Sequence, residues 1–294
     1  MRFLFYYLSS LVLGFRDPLA RRVAIITGGT RGIGWGIAES LVQDRNTDLL
    51  LTYCSDGYSA VKFANELEET YECTVKLISG DISKKSVRDD IWYSFDRMNQ
   101  KLGVVVHNAG QYVGITSDNS EGLSASSAPF MFGNGEQAGR DTVMWYYIKL
   151  YGEAFTDLCE RGLMRMKDGG SIIGISSPGC STHYRPQPGY DLPGSGKCVM
   201  EYAMRLFALK AAQKGVNCNV VIPGVTLTDA WKKMASGRNE AVMDTIQGVV
   251  DQLVPMKTHM TPRQVGDVVE FLCSERGRFI TGVSLPADGG VHLR

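Results

Sequence analysis

From Arg22 onward, two hydrophobic patterns alternate along the chain. Unbroken apolar runs (Val23-Ala24-Ile25-Ile26, Leu49-Leu50-Leu51, Val75-Lys76-Leu77-Ile78, Val104-Val105-Val106) have strand length and no in–out alternation. Such runs predict strands covered on both faces. Residues 171–175, 219–222 and 282–285 extend the series to seven. Between the runs, apolar residues recur at helical spacing. Trp35, Ile37, Ala38, Leu41 and Val42 mark a helix over 34–43, and others are predicted over 58–71, about 137–166 and 196–214, the last with Val199, Tyr202, Leu206 and Ala208 among its apolar positions. Strand and helix in alternation imply parallel pairing through right-handed crossovers. The expected architecture is α/β, one doubly wound domain over 21–294 with a seven-stranded, mostly parallel sheet. Such sheets bind ligands beyond the carboxyl ends of their strands, so chemistry is sought there.

Composition narrows the field. Of 294 residues, 44% are hydrophobic and 10% aromatic, which excludes a disordered chain. Lys+Arg and Asp+Glu both number 31, so the surplus of cations needed for non-specific nucleic-acid binding is missing. The seven cysteines (54, 73, 159, 180, 198, 218, 273) are scattered, with no C-x-x-C pair. That pattern fits neither a disulfide framework nor a zinc site, and it suits a reducing, cytoplasmic setting. No metal is expected. Cys180 and Cys198 flank the candidate site described next.

Residues 3–15 (FLFYYLSSLVLGF) are strongly apolar between Arg2 and Arg16. The stretch is shorter than the roughly 20 residues of a spanning helix. A signal-peptide core with a poor cleavage site at Ala20 is one reading. A membrane-associating arm, or an extension over 1–20 outside the fold, agrees better with the cysteines.

The turn after the first strand reads Thr27-Gly28-Gly29-Thr30-Arg31-Gly32-Ile33-Gly34. Glycines at 28, 32 and 34 permit a sharp turn and let a pyrophosphate reach the amides of a helix N-terminus. Asp81-Ile82 follows the third strand, Asn108-Ala109-Gly110 the fourth, Ser176-Ser177 the fifth, and Pro223-Gly224-Val225 with Thr228 the sixth. Ala287-Asp288-Gly289-Gly290 lies near the end. In this order and placement the motifs resemble the short-chain dehydrogenase/reductase family from Arg22 to the C-terminus. The resemblance implies a Rossmann-like fold and an NAD(P)-dependent oxidoreductase. It implies cofactor contacts from Gly28, Thr30, Arg31, Gly32, Ile33, Gly34, Tyr53, Ser55, Asp81, Ile82, Asn108, Ala109, Gly110, Lys197, Pro223, Gly224, Val225 and Thr228. It also implies a homodimer or homotetramer through the helices near 137–166 and 193–214. The second strand ends in Thr52-Tyr53-Cys54-Ser55 without a carboxylate, although Asp56 is one step beyond. Arg31 can pair with a 2′-phosphate and Ser55 can hydrogen-bond it, so NADP(H) is expected over NAD(H).

The same resemblance implies catalysis by Ser, Tyr and Lys, with the ammonium drawing the phenol pKa down from about 10. Ser177 and Lys197 match. Members carry Tyr-x-x-x-Lys, but here Pro193 stands four residues before Lys197. Tyr190 keeps the usual interval from Ser177, and Lys197 the usual interval to Pro223. Either Tyr190 reaches the site from a loop, or the proton donor is lost. Pro193 lacks an N–H, which predicts a first helical turn there. Where members carry Asn, three residues before Gly152, this chain has Lys149, either a second cation for the site or a solvated lysine. His183 is a possible donor or a solvated loop residue. Residues 226–260 are expected to hold cover helices with Trp231, Met234, Met243, Met256 and Met260. Trp145, Tyr146 and Tyr147 are expected on the core or a subunit contact.

These readings predict an NADPH-dependent reductase delivering hydride to a carbonyl or imine of a small apolar substrate, with Ser177, Tyr190 and Lys197 catalytic. The run Y-D-x-P-G-x-G-K resembles a fungal-type secondary-metabolism branch of the family. Some members of that branch act on iminium intermediates, with an acidic residue where Ser177 stands. An iminium reductase or cyclase without a catalytic Tyr is therefore an alternative, and a non-catalytic NADPH-binding sensor is another.

Overall fold

The computed structural model describes residues 21–110, 144–181, 184, 191–229, 232 and 242–294. The expectations for residues 1–20, His183, Tyr190, Trp231 and Met234 lie outside these. Seven strands, β1 (Arg22–Thr27), β2 (Thr47–Tyr53), β3 (Val75–Ser79), β4 (Lys101–His107), β5 (Gly170–Ile175), β6 (Val216–Pro223) and β7 (Ser284–Ala287), form one sheet of order β3-β2-β1-β4-β5-β6-β7. All neighbouring pairs are parallel. The strand order reverses at β1 and β4, which splays the loops after them and opens a crevice above their carboxyl ends.

Alternate residues of each strand serve two separate cores. Val23 and Ile25 of β1, with Leu50, Val105 and Ile172, pack one face against α3 (Lys85–Asp96), α4 (Ala154–Arg165) and α5 (Asp191–Ala212). Ala24 and Ile26, with Leu49, Leu51, Val106 and Val221, pack the other face against α1 (Gly32–Val42), α2 (Gly57–Tyr71) and α7 (Pro262–Cys273). The sheet is thus covered on both sides, as its unbroken apolar runs require.

Several boundaries differ from expectation. Helix α5 begins at Asp191 rather than 196, so buried Pro193 falls in its first turn, where a missing N–H costs no hydrogen bond. The helix before β5 has a π-helical segment, Ile148–Glu153, ahead of α4. Strand β7 sits two residues later than predicted. Helices α3 and α7 were not foreseen, although Val87, Ile91, Trp92 and Phe95 of α3 have helical spacing and are buried. Helix α3 also carries Arg88, whose guanidinium is buried. It donates to the carbonyls of Ile82 and Ser83 at 3.0 and 2.9 Å and pairs with Glu153 at 2.5 Å. The turn after β3 is therefore clamped to the π-helical segment. Among the cover helices, α6 (Val242–Leu253) packs Ile246 and Val250 against Val225 in a small third cluster, leaving Met243 and Met256 on the surface.

Candidate active site

The Gly-rich turn leads into α1 at the point where the strand order reverses. Arg31 is the N-cap in extended conformation, and no side chain caps the helix. Helices α2 and α7 do have side-chain caps, Asp56 accepting from the Ser59 N–H and Thr261 and Gln264 forming a capping box, whereas α3 and α4 share the uncapped start of α1. First-turn N–H groups without a side-chain acceptor suit an external anion. A β-carbon at Gly34 would lie 2.1 Å from the Gly28 carbonyl oxygen and 2.6 Å from Asn108 Nδ2, so the helix start is pressed against the turn. At Gly32, which has φ +53°, a β-carbon would meet only the Thr228 side chain, at 3.6 Å.

A clasp unforeseen from sequence holds the turn in place. Thr27 Oγ1 lies 2.9 Å from His107 Nδ1 and accepts the Asn108 and Ala109 N–H groups, each at 3.0 Å. His107 Nε2 lies 2.9 Å from the Leu150 carbonyl oxygen. A carbonyl only accepts, so Nε2 carries the proton, Nδ1 accepts, and the Thr27 hydroxyl donates. Asn108 spends its amide on the Thr27 and Gly28 carbonyls, at 3.2 and 3.0 Å. It therefore shapes the turn from behind. Burial pushes His107 down to about 4, against the backbone bond to Leu150. The sign for stability follows. Above pH 6.5 the imidazole is neutral folded and unfolded. Below it, only the unfolded chain takes up the proton, so stability falls between pH 6.5 and 4 by up to about 3 kcal/mol. Urea unfolding across this range should show a steeper loss in the wild type than in His107→Gln.

At the adenine end, Arg31 and Ser55 are exposed and Tyr53 is half-buried, its ring against Gly57. The Asp56 carboxylate caps α2 by accepting the Ser59 N–H at 3.0 Å. Hydrogen bonds from Ser59, and then the Arg31 charge, hold it below the usual carboxylate range. Asp81 is half-buried and accepts the Ser83 N–H at 2.9 Å, while Ile82 belongs to the core. The Pro223-Gly224 turn lies against Asp288: a β-carbon on Gly224 would be 2.7 Å from Asp288 Cα. Asp288 accepts the Tyr184 hydroxyl at 2.6 Å and the N–H groups of Gly290 and His292. Burial and this carboxylate push the Tyr184 phenol up, away from any role as acid.

Lys197 is buried on α5, its Nζ 5.0 Å from the centre of the Tyr151 ring, a cation–π contact. Tyr151 stacks on Tyr147, with ring centres 5.9 Å apart. Its hydroxyl lies 2.8 Å from where a β-carbon on Gly110 would sit, so the turn after β4 meets the lysine's support. Gly196 makes this possible, because a β-carbon there would lie 2.2 Å from the Tyr147 carbonyl oxygen. Ser176 is buried and donates to Glu201 Oε1 at 2.5 Å, and Ser284 donates to Oε2 at 2.9 Å. Ser177 is the half-buried member of the pair. Lys149 is exposed, as are Trp145 and the α5 residues Tyr202 and Leu206, whereas Tyr147 is in the core. The structure thus gathers Lys197, Tyr151 and Gly110, with His107 beside Tyr151, while Ser177 follows the buried Ser176 that Glu201 holds. No local motif marks Tyr151, Glu201 or His107, but Tyr151 and Glu201 stand beside Gly152 and four residues after Lys197. Among the described residues no group of His, Cys, Asp or Glu is placed to hold a metal ion, and no helix is long and apolar enough to cross a membrane.

A wholly parallel sheet with an uncapped, glycine-lined helix start at its switch point defines a Rossmann-type fold with a candidate dinucleotide site. A family model described as enoyl-(acyl carrier protein) reductase matches residues 134–292, and a KR-domain model matches residues 23–120. The chain belongs to the short-chain dehydrogenase/reductase family. Among curated proteins it is similar to a tetrahydroxynaphthalene reductase of Pestalotiopsis fici, 27% identical over 93% of this chain and 92% of that one. It is also similar to a 1-cyclohexenylcarbonyl-CoA reductase of Streptomyces collinus, 27% identical over 93% and 88%. Its fold matches that of an L-sorbose reductase of Gluconobacter frateurii, solved with NADPH and L-sorbose, at a TM-score of 0.77 and 22% identity over 94% and 98% of the two chains.

Proposed function

We propose that this protein is an NADPH-dependent reductase that acts on a carbonyl or imine of a small apolar substrate. The observation that carries the reading is the glycine-lined start of α1, which has no side-chain cap and lies where the strand order reverses, with Thr228 beside Gly32. The names of the relatives, reductases of aromatic and alicyclic compounds, support the reaction class.

The residues present fit the nucleotide. The amides of Gly32, Ile33 and Gly34 hold its diphosphate, Thr228 closes over it, and Asp81 and Tyr53 flank the adenine. Arg31 and Ser55 take the 2′-phosphate, since Asp56 is committed to capping α2. Lys197 holds the nicotinamide ribose. When bound, the nucleotide supplies hydride. Ser177 donates a hydrogen bond to the substrate oxygen and so stabilises the charge that develops there. Tyr190, just before α5, is the acid for a carbonyl substrate. Residues 21–294 make up the catalytic domain, and the exposed apolar residues of α5 support assembly as a cytoplasmic homodimer or homotetramer.

Calorimetric titration tests the reading. NADPH should bind more tightly than NADH, and Arg31→Ala should weaken NADPH about 10- to 100-fold while leaving NADH unchanged, the worth of one charge-assisted hydrogen bond. Tighter binding of NADH would overturn the NADP(H) preference, and silence toward both nucleotides would end the reading. Sustained NADPH oxidation with a ketone or imine panel separates a reductase from a non-catalytic sensor.

A second reading rests on Pro193. It occupies the first turn of α5, four residues before Lys197, where the family places its acid. Reduction of an iminium yields a neutral amine without proton donation, so a site lacking that phenol is suited to C=N substrates.

A further inference from the structure

Four of the seven cysteines meet in two pairs, and their surroundings differ. Cys159 and Cys218 are both fully buried in the sheet core. Burial, then contact with Cys218, raises the Cys159 thiol well above the usual range. The second pair lies at the rim of the cleft. Cys180 ends the short 3₁₀ turn Pro178–Cys180 that follows Ser177, and Cys198 is exposed on α5 beside Lys197.

Cys198 Sγ donates to the Cys180 carbonyl oxygen at 2.9 Å, which sets the two cysteines side by side. That sulfur lies 3.3 Å from Ser176 Oγ and donates to the Ser177 carbonyl oxygen at 3.0 Å. The neighbouring Cys198 thiol, and then the Lys197 ammonium, lower the Cys180 thiol to about 6 in spite of burial and Glu201. The same contact raises Cys198 far above its ordinary value. Cys180 is thus the readier of the two to ionise, beside the Lys197 ammonium, and Cys198 is a neighbour placed to resolve an adduct on it.

We propose that Cys180 and Cys198 form a reversible dithiol–disulfide site at the cleft rim, oxidised by a hydroperoxide. The Cys180 thiolate attacks one peroxide oxygen. The O–O bond breaks, and the leaving hydroxide takes the proton that Cys180 had released, giving water and a sulfenic acid. The Cys198 sulfur then attacks the Cys180 sulfur. The S–O bond breaks, and a second water leaves with the Cys198 proton. Two thiols and one peroxide become one disulfide and two waters, with two electrons passing from sulfur to oxygen. A dithiol reductant reverses the step by exchange. The cross-link ties the turn after Ser177 to the residue next to Lys197. Any effect of this on turnover rests on the reductase reading, whereas the thiol chemistry does not.

The test treats the full-length protein with stoichiometric hydrogen peroxide, alkylates the remaining thiols and maps peptides by mass spectrometry. Two of the seven thiols should be lost to a single Cys180–Cys198 cross-link, regained with dithiothreitol, while Cys159 and Cys218 stay reduced. Cys180, with the Lys197 ammonium beside it, should react about tenfold faster than exposed Cys54. In Cys198→Ser, dimedone should trap a sulfenic acid on Cys180, and in Cys180→Ser, Cys198 should survive the same dose. Oxidation at Cys54 with both rim thiols intact would overturn the proposal. Direct passage of Cys180 to sulfinic acid in the wild type, with Cys198 free, would overturn it equally.

Discussion

Gly34→Ala should abolish nucleotide binding and lower the melting temperature. The added carbon would stand 2.1 Å from the Gly28 carbonyl oxygen and 2.6 Å from Asn108 Nδ2. Neither atom can yield freely, because Asn108 Nδ2 is itself bonded to the Gly28 and Thr27 carbonyls and Thr27 to His107. Relief must come from moving the helix start away from the turn, which spoils the row of amides. Overpacking of this kind costs about 1–3 kcal/mol of stability, and displaced amides should weaken NADPH by more than about 100-fold, close to 3 kcal/mol of lost anion contacts. Gly32→Ala separates binding from folding. Its β-carbon meets only Thr228 at 3.6 Å, so the empty protein tolerates it apart from about 1–2 kcal/mol of left-handed strain. Calorimetry should nonetheless show at least a tenfold loss of NADPH affinity, about 1.4 kcal/mol, because that carbon stands at the helix start proposed to hold the diphosphate. Gly248→Ala on α6, with nothing within 4 Å, is the control and should bind normally. Wild-type affinity in folded Gly32→Ala would remove the diphosphate from this turn.

Lys197→Met should cut kcat/KM by about 10²- to 10⁴-fold, the range of a lost acid–base partner. Methionine keeps the length of the stem and its packing on Tyr151 but deletes the ammonium. The loss should appear with carbonyl and imine substrates alike, because the proposed role of the lysine, holding the nucleotide, is common to both reactions. Tyr190→Phe should behave differently. A comparable fall with ketones and none with imines assigns the phenol as a proton donor for C=O reduction. Indifference with every substrate favours the iminium reading that Pro193 suggests. Steady-state rates with one ketone and one cyclic imine decide among these outcomes, and a Lys197→Met enzyme within tenfold of wild type would discharge the lysine.

The seven strands, the Gly-rich turn and the placement of Ser177 and Lys197 were readable in the linear chain. Strands buried on both faces must be apolar without alternation, and a tight turn into a helix must be rich in glycine. Even the earlier start of α5 was signalled by Pro193, because proline is restricted to positions that need no N–H. The unforeseen helix α3 had a legible apolar spacing, but its decisive residue, Arg88, is charged and buried, against its usual preference. Only its partners on the π-helical segment and the turn after β3 explain it.

Local order along the backbone was thus written in neighbouring residues, because helix and strand periodicity, chain reversal and solvent avoidance act over a few positions. The Thr27–His107 clasp, the Tyr151 shelf beneath Lys197, the two hydrogen bonds that Glu201 accepts from Ser176 and Ser284, and the meeting of Cys180 with Cys198 were not. Thr27 and His107 are 80 residues apart, and Glu201 and Ser284 are 83 apart. Their contact depends on strand register, on which crossover covers which face, and on how closely Gly196 lets two helices approach. Those are properties of packing in three dimensions, which no short window of sequence contains.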